Sequence, residues 1–122
     1  MVHAVLLESM QTVFIGTTPF LLSSANKNRR RFTLEFTPSS EIAGNTGSIY
    51  FGRGFVPNAV KGDPNQGDLM NAGSVIDESK AYEGDTLPYK GMLWAVADTA
   101  DQQCTYDEEA DAVSPTQATA TL

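Results

Sequence analysis

The chain has 122 residues, which is the length of one domain, and it carries a formal net charge of -7. Nucleic-acid-binding domains normally present a basic face, so this charge argues against a nucleic-acid partner. Cys104 is the only cysteine, which excludes an intrachain disulfide, and no apolar stretch is long enough to span a bilayer. The composition, 41% hydrophobic and 19% charged, is that of a protein with an ordinary core.

The first third of the chain predicts an arm and three strands. Residues 1–11 are expected to form an N-terminal arm or a first strand, without the pattern of a secretion signal. Strand candidates follow at 12–17 and 20–23. Residues 31–37 alternate strictly between polar and apolar types, and their three large apolar residues share one face. Strict alternation is typical of a half-buried strand.

The middle of the chain predicts shorter strands around a long loop. Residues 48–52 are rich in good β formers. Residues 55–68 contain prolines and glycines and show no period, which indicates a long loop of the kind in which binding residues are often found. Residues 74–76 could pair as a short strand. A helical turn is predicted around residues 77–82.

The end of the chain predicts two more strands and a tail. Residues 91–97 are apolar on both sides, as expected for a strand covered on both faces. Residues 103–107 alternate again. The acidic side chains after Lys90 have no basic neighbours in sequence, and residues 110–122 are expected to be a polar tail or an arm that orders against a partner.

Strands at short intervals, separated by turns, predict an all-β fold: a single antiparallel β-sandwich or jelly-roll-like domain with extended N- and C-terminal arms. The sandwich is expected at residues 12–109, between an arm or first strand at 1–11 and a tail at 110–122. The predicted core consists of Val13, Ile15, Phe32, Leu34, Phe36, Ile49, Phe51, Leu93, Trp94 and Val96.

The sequence contains no recognisable catalytic, metal or cofactor motif. His3 is the only histidine, close to the N-terminus, where a rigid supporting shell is hard to build. Cys104 has acidic neighbours in sequence, which disfavour a thiolate, and is expected to pack as a small apolar residue. We therefore expect a non-enzymatic protein without metal or cofactor. Carboxylates brought together only by folding leave an enzyme as a further possibility.

A basic run at residues 27–31 is the most suggestive polar feature. Arginine is well suited to bidentate pairing with carboxylates, either on a neighbouring subunit or within the same chain. Both interpretations are open at this point: anchoring to a partner, or internal ion pairs at the entry to a strand. The predicted interface residues are Arg29, Arg30, Arg31, Phe55, Val2, Val5, Leu6 and Leu7.

Three segments resemble a known family. Residues 21–34, with Asn26 followed by Arg29 and Arg30, resemble the "LL-x-x-A-N-x-x-R-R-x-L-x-I" opening of many small bacteriophage virion proteins. Residues 48–54 are similar to the "x-V-Y-I-G-x-G" strand of those proteins, and residues 89–97 to their "Y-x-G-x-I-Y-A-I-A" segment. The resemblance spans residues 12–109, without the loop at 55–68 or the acidic tail.

The resemblance implies a β-sandwich building block of a phage particle. Within that class we expect a capsid decoration or cement protein that binds the outer shell. Its partners would be the major capsid protein and neighbouring copies of itself, as a homo-oligomer on the shell, with no nucleic acid and no membrane. It would be made in the host cytoplasm and reside in the virion capsid. The alternative is a tail, neck or fibre module that binds another structural protein or a host surface glycan.

Overall fold

The computed structural model describes the backbone of residues 5–79 and 88–112 and the side chains of residues 10–79 and 88–111. These residues form an all-β structure in which every paired strand is antiparallel. The strands are β1 (Val5–Ile15), β2 (Phe20–Ser23), β3 (Arg29–Phe36), β4 (Ser48–Arg53), β5 (Asp68–Asn71), β6 (Val75–Ser79), β7 (Leu93–Ala97) and β8 (Gln102–Ala112).

Two four-stranded sheets face each other. Sheet A has the order β1-β8-β3-β6 and sheet B the order β2-β7-β4-β5. Successive strands change sheet at every connection except the one between β4 and β5. This order is that of an eight-stranded jelly roll, in which two Greek keys are wound together. The prediction of an antiparallel sandwich is confirmed.

β3 shows why alternation in the sequence leads to a sandwich. Phe32, Leu34 and Phe36 are completely buried between the sheets, whereas Glu35 is exposed on the opposite face of sheet A. β3 lies between β6 and β8. A shift of one residue would move three large apolar side chains into water, so this alternation specifies the register.

The core lies between the two sheets and is built around Phe32. Its ring stacks on Phe51 of sheet B at 6.0 Å and on Tyr106 of sheet A at 6.3 Å between centroids. Eight of the ten predicted core residues lie in this core, whereas Trp94 and Val96 point away from the space between the sheets. Trp94 is only partly buried there, and Val96 is buried outside the core. Leu22, Met70 and Cys104 also belong to this core.

Three segments differ from the sequence-based prediction. The predicted helical turn at 77–82 is wrong for residues 77–79, because they belong to β6, which pairs with β3; residues 80–82 lie outside the described part of the chain. β5 was not predicted and begins at the last residue of the predicted loop. β8 ends at Ala112 and so continues into the predicted tail, whereas β1 begins at Val5, in agreement with the first strand that was one of the two alternatives for residues 1–11. The described residues contain no helix long and apolar enough to cross a membrane.

The buried side-chain amides of Asn45 and Gln102 stabilise the turns at one end of the sandwich. The side chain of Asn45 donates to the carbonyl oxygens of Thr37 (2.8 Å) and Gln103 (2.9 Å) and accepts from the Gln103 amide (2.7 Å). Gln102 binds the carbonyls of Gly44 and Ala100 and the amide of Gly47 in the same way. These contacts supply the hydrogen bonds that a buried turn needs, and so they fix the connection between β3 and β4.

Candidate functional site

Arg29 is the centre of a polar network at the other end of the sandwich. Its side chain is fully buried, and its Nε donates to Glu108 at 2.8 Å. Through this and its other hydrogen bonds, the guanidinium group connects β3 to β8, to the segment before β7 and to the end of β2. Its remaining contacts are the carbonyl oxygens of Tyr89 (2.6 Å), Gly91 (3.0 Å) and Ser24 (2.9 Å) and the hydroxyl of Ser23 (2.9 Å).

Glu108 accepts hydrogen bonds from four side chains. Besides Arg29, these are Tyr106 (2.7 Å), Ser23 (2.8 Å) and Asn26 (3.3 Å). Partial burial raises the pKa of Glu108, but the hydrogen bonds of Tyr106, Ser23 and Arg29 and the charge of Arg29 lower it by more, so the pKa lies below its ordinary value of 4.5. The carboxylate is therefore held in its charged form.

The network predicts a specific loss of stability in acid. Because the pKa of Glu108 is lower in the folded chain than in the unfolded chain, its contribution is complete above about pH 4.5 and is lost as the pH falls through the folded value. The free energy of unfolding should therefore fall more steeply between about pH 6 and about pH 3 in the natural chain than in Glu108→Gln. Urea unfolding at a series of pH values measures both slopes. Parallel slopes would contradict this assignment.

The three arginines of the basic run have different environments. Arg29 is internal, so the prediction that it anchors a partner is corrected: all of its donors are used within the chain. Arg30 is half exposed and lies 3.6 Å from Asp111. Arg31 is partly exposed, and the hydrogen bonds and charge of Asp77 raise the pKa of its guanidinium group. Of the three arginines, Arg30 and Arg31 are thus the ones that a partner could reach.

The loop between β4 and β5 folds back over the outer face of sheet B. Pro57 in this loop is fully buried, and Val96, on the face of β7 away from the core, is only 3% exposed. A side chain at Gly52 would collide with the Phe55 carbonyl oxygen, so the loop lies directly on β4. This cover explains why the sequence of β7 is apolar on both sides.

An open groove lies where this loop meets the β1–β2 turn. Its volume is about 390 Å³, and it is mainly apolar. Val60 on its rim is 59% exposed. Phe55, in the same loop, is 38% exposed, so this predicted interface residue is partly accessible. The groove is lined by Thr17, Pro19, Pro57, Asn58, Ala59, Val60, Val96, Ala97 and Asp98.

With this geometry established, we compared the chain with known proteins. It matches no family model, no curated protein and no solved structure. The sites must therefore be interpreted from their own residues.

Cys104 and the acidic residues can be assessed directly. Cys104 is completely buried, and burial raises the pKa of its thiol to about 12, so it is protonated and shielded at neutral pH. Among the described residues, no group of three or more His, Cys, Asp and Glu side chains is arranged to hold a metal ion. His3 lies outside the described residues.

The predicted N-terminal interface is only partly described. Val2 lies outside the described residues, and Val5, Leu6 and Leu7 belong to β1, of which the structure describes only the backbone before residue 10. Further along this strand, Met10 is 71% and Phe14 58% exposed. Sequence reasoning did not select these two as interface residues. The sequence did indicate that Phe14 faces away from the core, because Phe14 alternates with Val13 and Ile15, which are buried.

Proposed function

We propose that this chain is a non-enzymatic structural protein of a bacteriophage particle, a decoration or cement protein that binds the outer shell and the major capsid protein. One observation carries the proposal: residues from separate segments of the phage resemblance come together in the Arg29 network. Asn26 and Arg29 come from the first segment, and Tyr89 and Gly91 from the last. Four residues of the resembling segments therefore take part in one buried network.

The topology and the charge also support the proposal. Jelly rolls of eight strands occur in viral capsid domains and in lectins, although a fold by itself does not establish a function. Acidic residues share the outer face of sheet A, among them Asp107 and Glu109 of β8 and Asp77 of β6. An acidic surface suits the outside of a shell better than contact with packaged nucleic acid.

The proposed mechanism is the addition of contacts across the joints between shell subunits. A protein that binds the assembled shell, and not its separated subunits, stabilises the shell by mass action. The exposed Arg30 and Arg31 and the loop that carries Phe55 supply accessible polar and apolar contacts. A rigid sandwich binds without a large cost of ordering, because its core is already packed.

The copy number of the chain in purified virus particles tests the proposal. We expect quantitative mass spectrometry to find one copy, or a simple large fraction of a copy, per major shell subunit. The tail and portal proteins of the same particles serve as internal standards of low copy number. A few copies per hundred shell subunits would instead assign the chain to the tail, neck or fibre. Absence of the chain from the particle would contradict both assignments.

The groove beside the β4–β5 loop favours a second candidate, a fibre or tail module that binds a host glycan. The groove combines prolines and valines with the polar side chains of Asn58 and Asp98. Sugar sites generally need such a mixture of apolar surface and hydrogen-bonding groups. Phe55, which is partly exposed, and Tyr50, which is half-buried, are aromatic residues on which a sugar ring could stack. Chemical-shift changes at the groove during titration with surface oligosaccharides would support this candidate.

A further inference from the structure

Among the described residues, β1 forms one edge of sheet A and has few of the features that usually protect an edge strand. Over its 11 residues it pairs with β8 in a regular register, and no other strand of the described residues lies on its other side. In an edge strand, alternate residues direct their N–H and C=O groups outward, which makes the edge a template for another strand. β1 contains no proline, glycine, lysine or arginine to prevent this.

The other edges within the described residues are protected by comparison. β2 and β5 have only four residues each, and the pairing of β2 is irregular after Leu21. β6 has five residues, two of which are the acids Asp77 and Glu78. Short strands, irregular pairing and charged residues are the devices by which sheets prevent edge pairing. β1, with 11 residues, is more than twice as long as any of the three.

The sequence of β1 is symmetric about Met10. Three apolar residues stand at each end, and two polar residues stand on each side of the central methionine. An antiparallel strand with the same sequence, centred on Met10, would therefore match apolar residues with apolar and polar with polar along its whole length. In that register Val5 is opposite Ile15, Leu6 opposite Phe14, Leu7 opposite Val13, Glu8 opposite Thr12 and Ser9 opposite Gln11.

We infer that two copies of this chain pair through β1, antiparallel and centred on Met10, to form a two-fold dimer with one continuous sheet of eight strands. The pairing adds about ten backbone hydrogen bonds between the copies. It covers Met10 and Phe14, which are 71% and 58% exposed in the single chain. Glu8, the only charged residue of β1, is opposite Thr12, so the register opposes no like charges.

The inference does not depend on the proposed function, and its test is separate from the copy number in particles. Sedimentation velocity of the full chain, from about 1 µM to about 100 µM, should show a reversible monomer–dimer equilibrium. Because each copy carries a charge of -7, added salt should strengthen the dimer by screening repulsion. A monomer throughout this range would overturn the inference, as would a dimer that salt dissociates.

Substitutions at the two-fold axis test the register. Met10→Lys should weaken the dimer at least about tenfold, because it places two ammonium groups opposite each other, while the exposed site leaves the fold intact. Val75→Lys is the matched control, since Val75 is 54% exposed on β6, the opposite edge of the same sheet. It should leave the dimer unchanged. Circular dichroism and the melting temperature check that both variants fold.

A mixing experiment completes the test. Only a residue on the two-fold axis lies opposite itself, so Met10→Lys and Met10→Glu should each dissociate alone and form a mixed dimer when combined. Failure of the mixture to associate would overturn the central position of Met10. Weakening by Val75→Lys in place of Met10→Lys would overturn the assignment to β1.

Discussion

Arg29→Ala should lower the free energy of unfolding by about 3–5 kcal/mol, the usual cost of removing one partner of a buried ion pair. The side chain of Glu108 is only 16% exposed and would lose its cation. The carbonyl oxygens of Tyr89, Gly91 and Ser24 would lose their donors at the same time. An unsatisfied buried acceptor is costly because water cannot replace the lost donor. Urea unfolding with linear extrapolation measures the loss.

Arg30→Ala is the matched control for this prediction. Arg30 is the next residue in β3, but its side chain is 50% exposed and its distance to Asp111 is 3.6 Å. Exposed ion pairs contribute little, so the change should stay within about 0.5 kcal/mol. Equal losses in the two variants would contradict the structural role assigned to Arg29. In the Arg29→Ala background, Glu108→Gln should restore part of the stability because it removes the uncompensated charge.

Phe32→Ala should also cost about 3–5 kcal/mol, because it leaves a cavity between the two sheets. The Phe32 ring contacts Phe51 of sheet B and Tyr106 of its own sheet, so its removal takes away a contact between the two sheets at the centre of the core. The m-value should be unchanged if the rest of the sandwich still unfolds as one unit. Thermal and urea unfolding both measure the loss.

Phe55→Ala provides the comparison within the same residue type. Phe55 is 38% exposed on the β4–β5 loop, so its truncation should cost no more than about 1 kcal/mol. A loss as large as that of Phe32→Ala would mean that the loop contributes to the core. Arg29 lies over the Phe32 ring at 5.9 Å, so the effects of Arg29→Ala and Phe32→Ala should not add.

The basic run illustrates where sequence reasoning reached its limit. Strict alternation counted back from the buried Phe32 would direct Arg30 inward and Arg29 outward. The structure shows the opposite, because the pairing of β3 with β8 is irregular between Arg29 and Arg31. A bulge shifts the alternation by one residue, and nothing in the local sequence marks its position. The sequence therefore allowed an internal ion pair for one of these arginines, but it did not show which arginine would form it.

The segment at 77–79 shows a second limit. Its polar sequence suggested a helical turn, but residues 75–79 pair with β3 as an edge strand. A short edge strand owes its conformation to its partner more than to its own propensity. The β1 edge shows the reverse case. The symmetry of its sequence can be read directly, but it indicates pairing with a second copy only once β1 is known to lie at an edge.

By itself, the sequence determined the all-β class, the faces of β3 and most of the core, because alternation is a local property that each strand carries in its own residues. The tertiary structure decided the order of the strands in the two sheets, the inward position of Arg29 and the cover over Val96. These features depend on contacts between segments far apart in the chain, such as Arg29 with Glu108 and Tyr89. Such contacts are selected by the packing of the whole domain, and no local pattern encodes them.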